Sequence, residues 1–178
     1  MSLKSLIKSA KHAYEEKGLD CGNSLLPPAT SAEITVAGKS IKLPIPRELR
    51  ELYKVHGGQE YVPPGVTGLF GQHRLHTLEE LVEHYEMFSE NCILDNPPKF
   101  PPPDDEWGYW VPELIPFASW DAYDLCIHAT REDVWEFIPN SGLIRHRPSI
   151  ASVLEEVIEA VHTGGEPQLT RMRREQVR

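Results

Sequence analysis

The chain has 178 residues, 40% of them hydrophobic and 25% charged, which is the composition of an ordinary globular domain and excludes disorder throughout. Its 27 acidic residues against 18 Lys and Arg give a formal net charge of −9, which disfavours nucleic acid and favours a basic partner, although such a charge also serves solubility alone. No apolar run is long enough to cross a membrane, and Lys4 and Lys8 interrupt the apolar start, so neither a spanning helix nor a signal peptide is expected.

The first third of the chain is predicted to hold two helices and a hairpin. Apolar residues at helical spacing predict a first helix over residues 3–17. Alternating apolar residues on either side of Gly38 predict a β-hairpin over residues 33–43. Pro46 is predicted at the first position of a short amphipathic helix that ends before Gly57.

The middle of the chain is predicted to hold one short strand, one helix and an extended loop. The strand is expected over residues 66–70. Thr77 and Glu80 form a capping box, after which an apolar stripe predicts a third helix to about Ser89. Five prolines within residues 97–103 forbid a helix or a sheet interior and favour an extended loop.

The C-terminal part is predicted to be an antiparallel meander followed by a helix. Short apolar runs separated by turn residues predict four strands, at 114–118, 123–128, 133–138 and 143–146. Ser149 is expected to cap a last amphipathic helix, which ends before Gly164 and lies across the sheet. The fold class is therefore α+β, a single domain with N-terminal and C-terminal helices packed on one face of a mainly antiparallel central sheet.

No sequence motif for catalysis is present, since phosphate-binding loops and the nucleophile elbow are missing. The three cysteines form no CxxC pair, so we expect a reducing cytoplasm and neither a disulfide framework nor a zinc cage. His73 and His76 are three residues apart, but no third ligand stands at a recognisable spacing from them. We expect no catalytic residue, no metal and no cofactor; a small metal-dependent hydrolase using this histidine pair is the enzymatic alternative.

An acidic and aromatic segment follows the prolines and supplies the predicted partner-binding residues: Asp104, Asp105, Glu106, Trp107, Tyr109 and Trp110. Trp and Tyr are over-represented among binding hot spots, and carboxylates beside them steer a basic surface towards the site. The alternative is that the two tryptophans fold back to cover the edge of the sheet.

Two blocks of the sequence resemble the SUKH superfamily, which includes a yeast cell-wall synthesis regulator and many bacterial immunity proteins. The first block is a Leu-Pro pair, a short helix and a Gly-Gly-Gln end, and the second is the Ile-Pro-Phe-Ala strand with the strands and helix after it. Their structural motif residues are Pro44, Gly57, Gly58, Pro116 and Phe117. The resemblance predicts one SUKH-like domain over 1–166, with its best-matching core at 43–162, a proline-rich insertion at 95–113 and a flexible basic tail at 167–178.

The resemblance implies an α+β protein that binds other proteins and catalyses nothing. Bacterial members are typically cytoplasmic immunity proteins that hold a cognate polymorphic or contact-dependent toxin inactive by occluding its active face. Many of these toxins are nucleases with basic faces, which an acidic protein would complement. We therefore expect a protein toxin as partner, no nucleic acid or membrane, and a monomer or weak homodimer. The alternative is a non-catalytic regulatory scaffold for an endogenous protein.

Overall fold

The structure is a computed structural model that describes residues 1–60, 67–91, 110–139 and 142–164, with the backbone alone for 142–145. The elements in chain order are α1 (Leu3–Glu16), α2 (Ser31–Ile41), α3 (Arg47–Tyr53), β1 (Arg74–Leu75), α4 (Leu78–Asn91), β2 (Leu114–Trp120), β3 (Tyr123–His128), β4 (Val134–Ile138), β5 (Gly142–Arg147) and α5 (Ile150–Thr163). The strands form one antiparallel sheet whose spatial order, β1-β2-β3-β4-β5, equals their order along the chain. The predicted α+β fold is confirmed. No helix among the described residues combines the length and apolar character that a membrane crossing requires.

Helices α1, α4 and α5 lie close to their predicted bounds because the sequence carries their capping signals. Before α4, the backbone N–H of Thr77 donates to the Glu80 carboxylate at 2.8 Å, and the Glu80 N–H donates to the Thr77 hydroxyl at 3.1 Å. Before α5, the Ser149 hydroxyl accepts the N–H of Ser152 at 3.1 Å. Gly164, in the left-handed conformation, ends this helix as predicted.

The predicted β-hairpin over residues 33–43 is wrong, because this segment forms helix α2. The Thr30 hydroxyl accepts the backbone N–H of Glu33 at 3.2 Å, and the Glu33 carboxylate accepts the N–H of Thr30 at 2.7 Å. This capping box fixes the helix start. The buried residues of α2 then recur at intervals of three and four: Ile34, Ala37 and Ile41.

Gly38 was interpreted as the turn of that hairpin, but it lies inside α2. A Cβ atom at this position would approach the side chain of Ile45 and the carbonyl oxygen of Leu43 to 3.1 Å. The glycine therefore lets the chain after α2 pack closely on the helix. Lys42 ends α2 in the left-handed conformation, with φ 58°.

The strand predicted at 66–70 is also misplaced. Residues 67–73 form a tight turn in which Phe70 and His73 exchange two backbone hydrogen bonds of 3.2 Å. The strand of this region is β1, which pairs Leu75 with Ala118 of β2. Gly68 and Gly71 gave this segment a turn pattern in the sequence, so the two-residue strand that follows was not predicted.

Both faces of the sheet are covered, although helices on one face were predicted. In β3, Leu125 and Ile127 belong to the large core cluster that also contains residues of α1, α3 and α5. Cys126 points to the opposite face, as the alternation of a strand requires, and packs in a second cluster with Phe88 and Trp110. Helix α5 packs against α1, α3 and β5.

The first motif block joins α3 to the segment before α4. Helix α3 begins directly after Pro46, which is its N-cap residue and not its first helical residue. The buried Tyr53 donates its hydroxyl proton to the carbonyl oxygen of His76 at 3.1 Å. The buried Gln59 amide donates to the Ser24 hydroxyl at 2.8 Å and also accepts backbone N–H groups. These motif residues therefore have structural roles.

The Gly-Gly pair of this block is required by close packing. A Cβ atom on Gly57 would lie 2.6 Å from the carbonyl oxygen of Pro27. Gly58 has a φ of 143°, and its Cβ atom would lie 2.8 Å from Cα of Thr77 at the start of α4. Gly57 thus lets the segment after α3 pack against the segment before α2, and Gly58 lets it pack against Thr77 before α4.

We expect Gly58→Ala to lower the free energy of unfolding by about 2 kcal/mol, because both the backbone conformation and the contact with Thr77 exclude a side chain. The measurement is urea unfolding followed by far-UV circular dichroism. Gly164→Ala is the matched control, since Gly164 also has a positive φ but faces open space. A loss for Gly58→Ala no larger than that of the control would contradict the packing argument.

The second motif block places an irregularity in β2. The register between β2 and β3 shifts between Pro116 and Ala118, where a bulge accommodates a proline that has no N–H to donate. The carbonyl oxygen of Phe117, between them, accepts the backbone N–H of His76 at 2.9 Å. Pro116 and Phe117 therefore fix the position of His76, the residue that follows β1.

Candidate functional site

Two imidazole rings and one carboxylate meet where α4 lies against the β2–β3 hairpin. Nδ1 of His84 lies 3.0 Å from Oδ1 of Asp124, and Nε2 of His76 lies 3.9 Å from the same oxygen. The centroids of the two rings are 4.2 Å apart. We call His76, His84 and Asp124 the histidine–aspartate cluster. Across the described residues, no other group of three possible metal ligands comes as close together.

Each member of the histidine–aspartate cluster is held by a different element. His76 follows β1 and is anchored by its backbone hydrogen bond to Phe117, while its Nε2 atom lies 2.8 Å from the Ser119 hydroxyl. Asp124 lies on β3 directly opposite Ser119 of β2. His84 projects from the side of α4 that faces this hairpin.

Burial controls the protonation of this cluster. Burial, and then the neighbouring charge of His84, lower the pKa of His76 to about 3, so its ring is neutral at neutral pH. Burial raises the pKa of the Asp124 carboxyl, while the hydrogen bond from His84 opposes this rise. The side chains of His76 and Asp124 are almost fully buried, whereas that of His84 is 30% exposed. The cluster therefore opens to the surface at His84.

His73 does not share a site with His76, because side chains three residues apart in extended backbone point to opposite sides. Nε2 of His73 lies 3.7 Å from Oε1 of Glu136, and burial lowers the pKa of His73 to about 3. The hydrolase alternative, which needs both histidines together, has no common site. The sequence shows no further ligand at a recognisable spacing, but the fold brings His84 and Asp124 close to His76.

An acidic stripe runs along the outer side of α4. Four exposed glutamates recur at intervals of three or four residues, so they fall on one side of the helix: Glu79, Glu83, Glu86 and Glu90. We call them the α4 stripe. Met87, which is 45% exposed, lies beside them. The α4 stripe concentrates negative charge on one part of the surface.

An aromatic pair stands at the end of the β2–β3 hairpin. The rings of Trp120 and Tyr123 are stacked, with centroids 5.5 Å apart and an interplanar angle of 28°. Trp120 is 38% exposed, and Asp121 closes the turn with φ 54°. Since Asp124 of this hairpin contacts His84 of α4, the pair and the α4 stripe belong to adjacent elements.

Comparison with known proteins places the chain in a family. The family model described as SMI1 / KNR4 family (SUKH-1) matches residues 28–159, about three quarters of the chain. The chain belongs to this SUKH-1 family. The match begins before α2, so the SUKH-1 region includes the helix that the sequence resemblance left outside. No curated protein sequence shows significant similarity to this SUKH-1 chain.

Of the predicted partner-binding residues of this SUKH-1 protein, the structure describes only Trp110. Asp104, Asp105, Glu106, Trp107 and Tyr109 lie outside the described residues. Trp110 is fully buried, with its ring centroid 4.9 Å from that of Phe88 and 5.1 Å from that of Phe137. The burial of Trp110 matches the alternative stated for this segment, in which a tryptophan folds back to cover the sheet.

Sequence reasoning missed three features of the SUKH-1 surface. The spacing of the α4 stripe was visible in the sequence, but only the packing of α4 shows that this side stays exposed. The turn at Asp121 marked the position of Trp120 and Tyr123, which the structure brings to the surface. His84 and Asp124 carried no local signal, since 40 residues separate them.

Proposed function

We propose that this SUKH-1 protein is an immunity protein, which binds a cognate bacterial toxin in the cytoplasm and neutralises it by covering its active face. The observation that carries the proposal is that α4 bears an exposed acidic stripe and the adjacent β2–β3 hairpin bears a partly exposed aromatic pair, in a chain of this family with net charge −9. Aromatic anchors with carboxylates around them match a toxin whose active face is rich in Lys and Arg.

In this mechanism the protein performs no chemical step. A standard interface buries about 1,600 Å² in total, enough to exclude a large substrate from a toxin's active face. Trp120 and Tyr123 would pack at the centre, while the α4 stripe would pair with basic side chains at the rim. We also propose Asp104, Asp105, Glu106, Trp107 and Tyr109 as partner contacts, because their sequence combines carboxylates with aromatic residues.

Growth rescue tests the proposal. The gene is co-expressed with toxin domains encoded next to it, and colony formation is scored against an empty vector. Rescue by this protein, together with a complex of the two purified proteins, is the expected result. A complex without rescue, or rescue without a complex, would contradict neutralisation by direct occlusion.

The matched family also favours a second function, that of a non-catalytic regulatory scaffold, since its description names SMI1 / KNR4. A scaffold would bind an endogenous protein and protect against no toxin. Affinity purification from the native host separates the two, because a scaffold would retain a host protein in cells that carry no toxin gene.

We expect removal of the negative charges of the α4 stripe to slow association with the toxin against which the protein rescues growth. The variant carries Gln at positions 79, 83, 86 and 90, and its association rate constant at low salt should fall about tenfold or more, because steering depends on local charge. Surface plasmon resonance at two salt concentrations measures this rate.

The matched control for this variant places Gln at four exposed glutamates elsewhere: Glu15, Glu51, Glu155 and Glu159. Both variants lose the same charge, so only position distinguishes them. The control should bind at nearly the wild-type rate. Equal slowing in the two variants would show that net charge, and not the α4 stripe, guides association.

A further inference from the structure

We propose that His76, His84 and Asp124 form a binding site for one divalent transition-metal ion, for which Zn²⁺ is the best match. Two imidazole nitrogens and one carboxylate oxygen are a common three-ligand set for zinc. The proposal concerns the histidine–aspartate cluster alone and does not depend on the identity of any protein partner.

The distances fit a site that closes on an ion. One donor atom from each residue lies within 4.8 Å of the other two. Bonds of about 2.0–2.1 Å in a tetrahedral site place neighbouring ligand atoms about 3.3 Å apart. Oδ1 of Asp124 already lies 3.0 Å from His84 and 3.9 Å from His76, so closure needs movements of about 1 Å or less from these side chains.

Both rings lie near the same oxygen of Asp124, but only one of them is in hydrogen-bond contact with it. Oδ1 of Asp124 is within hydrogen-bond distance of His84, but the 3.9 Å to Nε2 of His76 is too long for a hydrogen bond. His76 instead contacts the Ser119 hydroxyl at 2.8 Å. An ion between the three residues would satisfy both rings and the carboxylate together, with Ser119 beside it.

Burial of the cluster also favours a bound ion. The side chains of His76 and Asp124 are almost fully buried. A buried carboxylate is stabilised by a cation in contact with it, and a metal ion at this place would supply that positive charge.

Access and coordination number also fit. The partly exposed ring of His84 gives an ion a path from solvent. Three protein ligands leave a fourth position for water or for a donor atom of another molecule. His84 of α4 already contacts Asp124 of β3. Bound metal would strengthen this link between the two elements and would therefore stabilise the fold.

Metal titration of the full-length protein tests the site. Protein freed of metal by chelation is titrated with ZnCl₂ by calorimetry and with CoCl₂ by visible absorption, which reports tetrahedral coordination. We expect one equivalent to bind, and the melting temperature to rise by about 5 °C or more at a Zn²⁺ concentration 100-fold above Kd. Absence of binding to the wild-type protein would overturn the proposal.

Substitutions assign the binding to these residues. His84→Gln changes a partly exposed side chain, so the fold should persist, and it should weaken Zn²⁺ binding about 100-fold and abolish the Co²⁺ spectrum. The control is His12→Gln with His162→Gln, which removes two exposed histidines that flank Glu16. This control should bind like the wild type. Binding that survives in His84→Gln, or is lost in the control, would place the ion elsewhere.

Discussion

Trp110→Ala is expected to lower the free energy of unfolding by about 3–5 kcal/mol, since the indole is fully buried in the second core cluster. Its ring packs against those of Phe88, Phe137 and Tyr85, and alanine would leave a cavity among them. This cluster is much smaller than the main core, so few neighbours can move in to fill the space. Urea unfolding monitored by circular dichroism gives the change.

Trp120→Ala is the matched control, because Trp120 is partly exposed at the hairpin end. It should cost about 1 kcal/mol or less in stability. In a binding assay with the toxin against which the protein rescues growth, Trp120→Ala should have the larger effect of the two substitutions. It should weaken the complex by about 2 kcal/mol or more. A stable Trp110→Ala protein that has lost binding would restore Trp110 as an anchor and contradict its role in the core.

Mild acid is expected to destabilise the fold by about 3 kcal/mol between about pH 7 and about pH 5. Burial lowers the pKa of both His73 and His76 to about 3, whereas an unfolded histidine titrates near 6.5. Between these values the unfolded state binds more protons than the folded state, so stability falls as pH falls. Asp124 offsets part of the loss at the acid end, because its raised pKa lets the folded state take up a proton first.

The slope of the free energy of unfolding against pH shows whether His73 contributes to the acid sensitivity. Urea unfolding in EDTA at a series of pH values should give a shallower slope for His73→Gln than for the wild type, by up to about 1.4 kcal/mol per pH unit. Leu49→Ala is the control, since it removes a buried apolar side chain and should lower stability equally at every pH. Identical slopes for His73→Gln and the wild type would show that His73 does not cause the acid sensitivity.

Local signals predicted most of the fold. Capping residues and helical periodicity were sufficient for α1, α4 and α5, and turn residues separated β2 to β5 nearly at their observed bounds. For α2 the local signals conflict: apolar residues on both sides of Gly38 fit a hairpin, whereas Thr30 and Glu33 form a capping box that starts a helix. Gly38, which favours a turn in the sequence, lies inside the helix where the side chain of Ile45 approaches it closely.

The candidate site was predicted less well, because it depends on contacts between distant parts of the chain. His76 was singled out with the wrong partner, since spacing along the sequence favoured His73 and only the fold brings Asp124 to it. The sequence leaves Trp110 either as a partner-binding residue or as a cover of the sheet, because burial of an aromatic residue in a loop depends on distant neighbours; the second core cluster decides for burial. The α4 stripe became interpretable only once the buried side of α4 was known.

The sequential order of the strands has a kinetic consequence. In β2 to β5 every strand pairs with the next one along the chain, so the sheet grows by closing short turns and not by joining distant segments. Local closure costs little chain entropy, and proteins rich in such contacts fold quickly. The immunity role that we propose would benefit from rapid folding, because the protein can bind a toxin only after it has reached its native state.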